Sequence, residues 1–266
     1  MHTDSEMDLE NFEGDGFGIA FRDSGSHNRQ AIVFAHAMSF DQTIWDEVIA
    51  LLPTDFRVVT YDHRGHGASG VPSTPYFLDD YVRDAARLLD HLSIINCVFV
   101  GVSFGGLVAQ GLASQRPDLV RQLVLSNTAT KIGTLKAWMQ AADNARASGF
   151  SAEGVDGSFE HLFSSAFRQR SDLQYLKDRR LRLSVEGYIG CCNAIGHADM
   201  TTSTSKLEQP TLVIGSDADL VTPQHVVEAL AEILLNSQFK LIRGAGHLPC
   251  IENPKAFAAR LTEFLP

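Results

Sequence analysis

The sequence predicts an α/β fold, a mostly parallel, doubly wound sheet with a helical cap inserted between two of its strands. Three observations predict it. Short apolar runs of β character recur along the chain, amphipathic helical stretches fall between them, and one long interval, residues 131–206, holds helices and loops alone.

The β-type runs are 31–35 (Ala-Ile-Val-Phe-Ala), 56–61 (Phe-Arg-Val-Val-Thr-Tyr), 97–102, 121–126 (Arg-Gln-Leu-Val-Leu-Ser), 211–215 (Thr-Leu-Val-Ile-Gly) and 239–243 (Phe-Lys-Leu-Ile-Arg). Several are almost continuously hydrophobic, as strands covered on both faces must be. Helical spacing is clearest at 77–92, where Leu78, Val82, Ala85, Leu89 and Leu92 recur every three or four residues beside Asp and Arg. The expected division is a core of residues 1–130 and 207–266 and a cap of residues 131–206. Ligands of such a sheet bind beyond the carboxyl ends of its strands, so functional residues belong there.

A chain of 266 residues, 44% of them hydrophobic, suffices for one large core without a second domain. A net charge of −10 argues against nucleic acid or an anionic membrane surface as the main partner. No apolar stretch approaches the roughly 20 residues that span a bilayer. Residues 1–16 are acidic rather than basic-then-apolar, so the expected location is the cytoplasm. Cys97, Cys191, Cys192 and Cys250 lack metal-ligand spacing and read as small buried apolar residues in a reducing compartment. No metal is expected, and the expected partner is a small molecule.

Residues 101–105 read Gly-Val-Ser-Phe-Gly directly after the apolar run Cys97-Val98-Phe99-Val100. Leu107 to Ala113 then follow at helical spacing, with no proline until Pro117. Strand, turn and helix in that order make a nucleophile elbow, which pushes the Ser103 hydroxyl out of a sharp turn. A hydroxyl is a poor nucleophile at neutral pH, so Ser103 needs a histidine base and an acid to orient that base.

In this fold class the acid precedes the histidine along the chain. His247 lies in Gly244-Ala245-Gly246-His247-Leu248-Pro249, directly after the last predicted strand. The acid should follow the strand 211–215, where Asp219 is favoured and Asp217 is the alternative. Asp219 precedes Leu220-Val221-Thr222-Pro223, where Thr222 is expected to cap the helix that Pro223 begins. The anionic intermediate needs two backbone N–H donors, expected from Phe104 and from Met38 in Phe34-Ala35-His36-Ala37-Met38-Ser39. Ala37 stands where glycine is common. The loop Tyr61-Asp62-His63-Arg64-Gly65-His66-Gly67-Ala68-Ser69 offers acids and histidines, but its Asp-x-Arg-Gly-His-Gly-x-Ser string resembles a tightly packed turn of non-metal α/β-hydrolases, which implies a structural role.

These motifs, with the Asp-x-x-Thr-Pro acid loop, resemble those of α/β-hydrolases. Three further passages narrow the resemblance to the 3-oxoadipate enol-lactonases: Trp45-Asp46; Ser126 to Gly133 with Trp138; and Glu186-Gly187-Tyr188-Ile189-Gly190-Cys191-Cys192-Asn193-Ala194-Ile195. The resemblance implies a cofactor-free cytosolic hydrolase of a small carboxylated lactone in aromatic catabolism. Lys131, where members often carry arginine, is then the expected partner of the substrate carboxylate, and Trp138 an expected wall of its pocket. A broader carboxylesterase or lactonase, or a carbon–carbon bond hydrolase of ring-fission products, would use the same three side chains. A receptor that keeps this scaffold has no need of the acid and base.

Overall fold

The computed structural model describes residues 7–14, 16–25 and 29–265, so much of the acidic start lies outside the described residues. Eight strands form one sheet: β1 (Leu9–Glu13), β2 (Gly18–Asp23), β3 (Ala31–Ala35), β4 (Arg57–Tyr61), β5 (Cys97–Val102), β6 (Val120–Ser126), β7 (Thr211–Ser216) and β8 (Ser237–Ile242). Their order is β1-β2-β4-β3-β5-β6-β7-β8. β2 pairs antiparallel with both β1 and β4, and every later pair is parallel. Every residue of β3, β4, β5 and β7 is buried, which is why these strands read as largely apolar runs.

The helices are α1 (Asp46–Ile49), α2 (Leu78–His91), α3 (Phe104–Gln115), α4 (Leu135–Ser148), α5 (Ala152–Leu162), α6 (Gln174–Leu181), α7 (Val185–His197), α8 (Thr201–Thr204), α9 (Gln224–Ile233), α10 (Pro249–Glu252) and α11 (Pro254–Phe264). They cover both faces of the sheet. One core holds Phe99, Leu123 and Val213 against α2, α3 and α9, and the other holds Val100, Val124 and Ile214 against α11. Alternate residues of one strand thus serve opposite cores, each large buried side chain contributing about 1.5–3 kcal/mol relative to exposure. Among the described residues, α4 to α8 occupy 131–206 without a strand. No helix among them is long and apolar enough to cross a membrane.

The chain leaves β3 toward β4 on one side, and β5 returns on the other side of β3. Successive connections diverge there, which opens a crevice between the carboxyl ends of β3 and β5. Residues 36–39 and Ser103 flank it. All four cysteines are buried and free.

Candidate active site

Ser103 sits at φ 54° and ψ −117°, between β5 and α3. Few side chains hold such a backbone, at roughly 1–3 kcal/mol, so the surroundings must enforce it. They do so by close approach. A Cβ at 101 would overlap the Gly105 carbonyl, and one at 105 would overlap the Ala35 carbonyl at the end of β3. Glycine at both positions lets β3, β5 and α3 converge under the serine.

Its hydroxyl donates to His247 Nε2 at 2.7 Å. Nδ1 of the same ring donates to Asp219, 2.9 Å from Oδ2 and 3.1 Å from Oδ1. All three side chains are buried. Oδ1 of Asp219 also accepts from the Val221 and Thr222 N–H groups at 2.8 and 3.0 Å. Oδ2 accepts from Thr222 Oγ1 and Asn127 Nδ2, both at 2.8 Å. Burial works to raise the Asp219 carboxyl, but the facing imidazole and these donors outweigh it and hold the group below its usual value.

Thr222 therefore departs from the sequence expectation. Its hydroxyl binds Asp219 instead of capping α9, whose N-cap residue is Pro223 without a side-chain bond. Asp217 accepts from the Gly244 N–H at 2.6 Å, which ties the loop before His247 to the end of β7. Two residues without an expected role now have one. Asn127, at φ 45°, spans Asp219 and, at 3.4 Å, the Gly246 carbonyl. Glu252 accepts from the Gly246 N–H at 2.7 Å and from Ser164 Oγ at 2.6 Å, binding the histidine loop to the helical segment. An asparagine at a strand's carboxyl end, where a short amide tolerates positive φ, was the available signal for Asn127. Nothing local marks Glu252.

Phe104 is the first residue of α3, so its N–H has no partner one helical turn back. Met38 lies in a turn closed by the Phe40 N–H on the Ala37 carbonyl at 3.2 Å. The positive φ of that turn falls at Ser39, 67°, so alanine at 37 is no obstacle. His36 donates from Nδ1 to the Ala37 carbonyl at 2.8 Å and accepts the His63 N–H on Nε2 at 3.0 Å. Asp62 accepts the Gln42 and Ala68 N–H groups at 2.7 and 2.8 Å, and Arg64 pairs with buried Asp84 at 2.6 Å. The 61–69 loop is thereby tied within itself and to Gln42 and α2. It also abuts α7, for Gly65 and Gly187 touch so closely that neither position has room for a Cβ.

Lys131 and Trp138 lie apart from the hydrogen-bonded chain. Lys131 is 52% exposed and pairs with Asp199 at 3.3 Å. Trp138 donates from Nε1 to the Ile132 carbonyl at 2.6 Å. Its ring packs with Met38 and Tyr188 around Ala142, Ile189 and Cys192.

Residues 30–254 match the family described as alpha/beta hydrolase fold. This chain belongs to the α/β-hydrolase family. Its relatives include two 3-oxoadipate enol-lactonases of Acinetobacter baylyi. One, numbered 2, is 33% identical over 88% of this chain and 87% of its own length. The other, numbered 1, is 32% identical over 94% of each. Among solved structures, the enol-lactonase from Burkholderia xenovorans superimposes on this α/β hydrolase with a TM-score of 0.91 at 29% identity. That match covers 96% of this chain and 99% of the other.

Proposed function

We propose that this α/β hydrolase opens a small carboxylated enol-lactone through a serine acyl-enzyme, with 3-oxoadipate enol-lactone, an intermediate of aromatic catabolism, as its substrate. The observation that carries the mechanism is the unbroken chain Ser103 Oγ, His247 Nε2 and Nδ1, Asp219, with links of 2.7 and 2.9 Å. The two enol-lactonase relatives support the choice of substrate. The helical segment 131–206 acts as a cap over this site, held to the histidine loop by the His247 N–H on the Leu162 carbonyl at 2.8 Å and by Glu252 on Ser164.

Ser103 Oγ attacks the lactone carbonyl as its proton passes to His247 Nε2. The carbonyl oxygen becomes an oxyanion facing the Met38 and Phe104 N–H groups. When the intermediate collapses, the ring C–O bond breaks, and the enol oxygen takes the proton from His247 and relaxes to a ketone. His247 then draws a proton from water, which attacks the acyl-enzyme and releases the acid. Asp219 holds the Nδ1–H tautomer throughout and stabilises the imidazolium. Met38 and Trp138 furnish apolar wall.

Ultraviolet loss of 3-oxoadipate enol-lactone, measured beside 4-nitrophenyl acetate, tests this reading. The wild type turns over the lactone far faster than the ester, and Ser103→Ala loses at least about ten-thousand-fold of kcat on both. Ester cleaved while the lactone is untouched would discard the substrate and favour a general esterase.

A further inference from the structure

Helix α6 carries a cation that the mechanism above leaves unused. Leu173, Leu176 and Arg180 follow one another at spacings of three and four, which places them on one face. Leu173 and Leu176 are buried in the core that holds Phe159, Phe163 and Phe167, so Arg180 is turned inward with them. Its guanidinium carbon lies 5.6 Å from the centre of the Phe40 ring, and its Nε is buried without a hydrogen-bond partner. Three neighbouring basic residues are paired: Lys177 with Asp156 at 2.6 Å, Arg179 with Asp41 at 3.2 Å, and Arg170 with Asp172 at 2.6 Å. Among the described residues no carboxylate pairs with Arg180. Loss of hydration, only partly offset by the Tyr188 phenol, pulls the guanidinium down to about 10, where it is still a cation at neutral pH.

Both of its neighbours adjoin residues of the candidate site. Phe40 follows the turn that carries Met38, and its ring meets Phe163 edge-on at 6.4 Å. Phe163 adjoins Leu162, whose carbonyl holds the His247 N–H. Tyr188 packs in the cluster that contains Met38 and Trp138. A lone cation in an apolar wall is unfavourable in the free protein. A carboxylate ligand would complete it, because the guanidinium fork matches two carboxylate oxygens.

We propose that Arg180 binds the free carboxylate of the substrate and so sets a preference for anionic lactones over neutral ones. The identity of that substrate rests on the lactonase reading. The exposed Lys131, already paired with Asp199, is the rival cation.

Turnover of 3-oxoadipate enol-lactone is compared with that of α-angelica lactone, the same ring with methyl in place of the carboxymethyl arm. In Arg180→Gln the ratio of kcat/KM, charged over neutral, falls roughly 100-fold, chiefly through KM, and Arg180→Lys restores part of it. Lys131→Met alters the ratio by about threefold or less. Equal loss on both lactones, or a ratio that collapses in Lys131→Met instead, overturns the proposal. A second measurement needs no turnover: calorimetric titration of adipate into Ser103→Ala, with and without Arg180→Gln. Arg180→Gln weakens adipate at least about tenfold. Affinity that is absent, or indifferent to Arg180, overturns the proposal. Arg180-dependent binding in an enzyme that opens neither lactone supports the carboxylate site and discards the lactone.

Discussion

Replacing Asp219 by asparagine lowers kcat by about ten-thousand-fold, whereas Asp217→Asn changes it by about threefold or less. The two aspartates lie two residues apart and differ in what surrounds them. Five donors converge on the Asp219 carboxylate: Asn127, the Thr222 hydroxyl, the Val221 and Thr222 N–H groups, and His247 Nδ1. An asparagine there must turn its NH2 toward at least one of them. If it faces the imidazole, Nδ1 has to give up its proton and Nε2 carry it, so Ser103 meets a donor where it needs a base. Asp217 receives one N–H, from Gly244, and an asparagine carbonyl accepts that bond equally well. Steady-state kinetics on both variants decides it. Comparable losses in the two would mean that the acid has been misassigned.

Acidification from pH 7 to 4.5 lowers the thermal midpoint steeply, and the buried histidines beside the site account for much of the fall. His36, His63 and His66 lie with ring centres 4.3 to 6.4 Å apart, and all three are buried. Burial pulls His36 and His66 down from 6.5 to about 4 and His63 well below its usual value. The hydrogen bonds agree with neutral rings: His63 Nδ1 and His66 Nε2 have no partner, while the opposite nitrogen of each ring faces a carbonyl.

The sign follows from the direction of the shifts. Above pH 6.5 neither the folded nor the unfolded chain charges these rings, and their contribution is complete. Between pH 6.5 and 4 the unfolded chain binds protons that the fold refuses, so stability is lost as pH falls. A shift from 6.5 to about 4 corresponds to about 3 kcal/mol for each of His36 and His66, against a typical total of about 5–15 kcal/mol. Buried Asp62, whose carboxyl burial raises, acts in the opposite direction at the acid end and offsets part of the loss. Calorimetric scans across this range give the answer. A midpoint unchanged down to pH 5 would show that the cluster accepts protons without penalty.

Legibility in the sequence followed burial. The parallel strands β3 to β7 are buried along nearly all of their length, so their residues are mostly apolar and were readable to within a residue or so. β1 and β2 escaped notice. Four of the five residues of β1, Leu-Glu-Asn-Phe-Glu, are exposed, and what holds it is antiparallel pairing at the edge of the sheet rather than a hydrophobic pattern. β8, also an edge strand and half-exposed, begins two residues before its apolar run suggests.

The candidate site was legible where chemistry constrains the local backbone. Ser103 sits in a turn that only small neighbours permit, and His247 and Asp219 lie in loops directly after strands. Glu252 and Arg180 were not legible as site residues, and Asn127 left only the signal of its place at a strand's end. Each acquires its role from partners distant in the chain: Asn127 from Asp219, Glu252 from Ser164, and Arg180 from Phe40 and Tyr188. Thr222 shows the same limit in reverse. Its position before Pro223 suggested a helix cap, and the more favourable bond was to the carboxylate three residues earlier.

An activated nucleophile at Ser103 reacts stoichiometrically with diethyl 4-nitrophenyl phosphate. The wild type releases one equivalent of 4-nitrophenol per chain and carries the diethyl phosphoryl group on the peptide containing Ser103, while Ser103→Ala and Asp219→Asn release almost none over the same interval. No release from the wild type, or a label on another residue with Ser103 unmodified, would contradict the account.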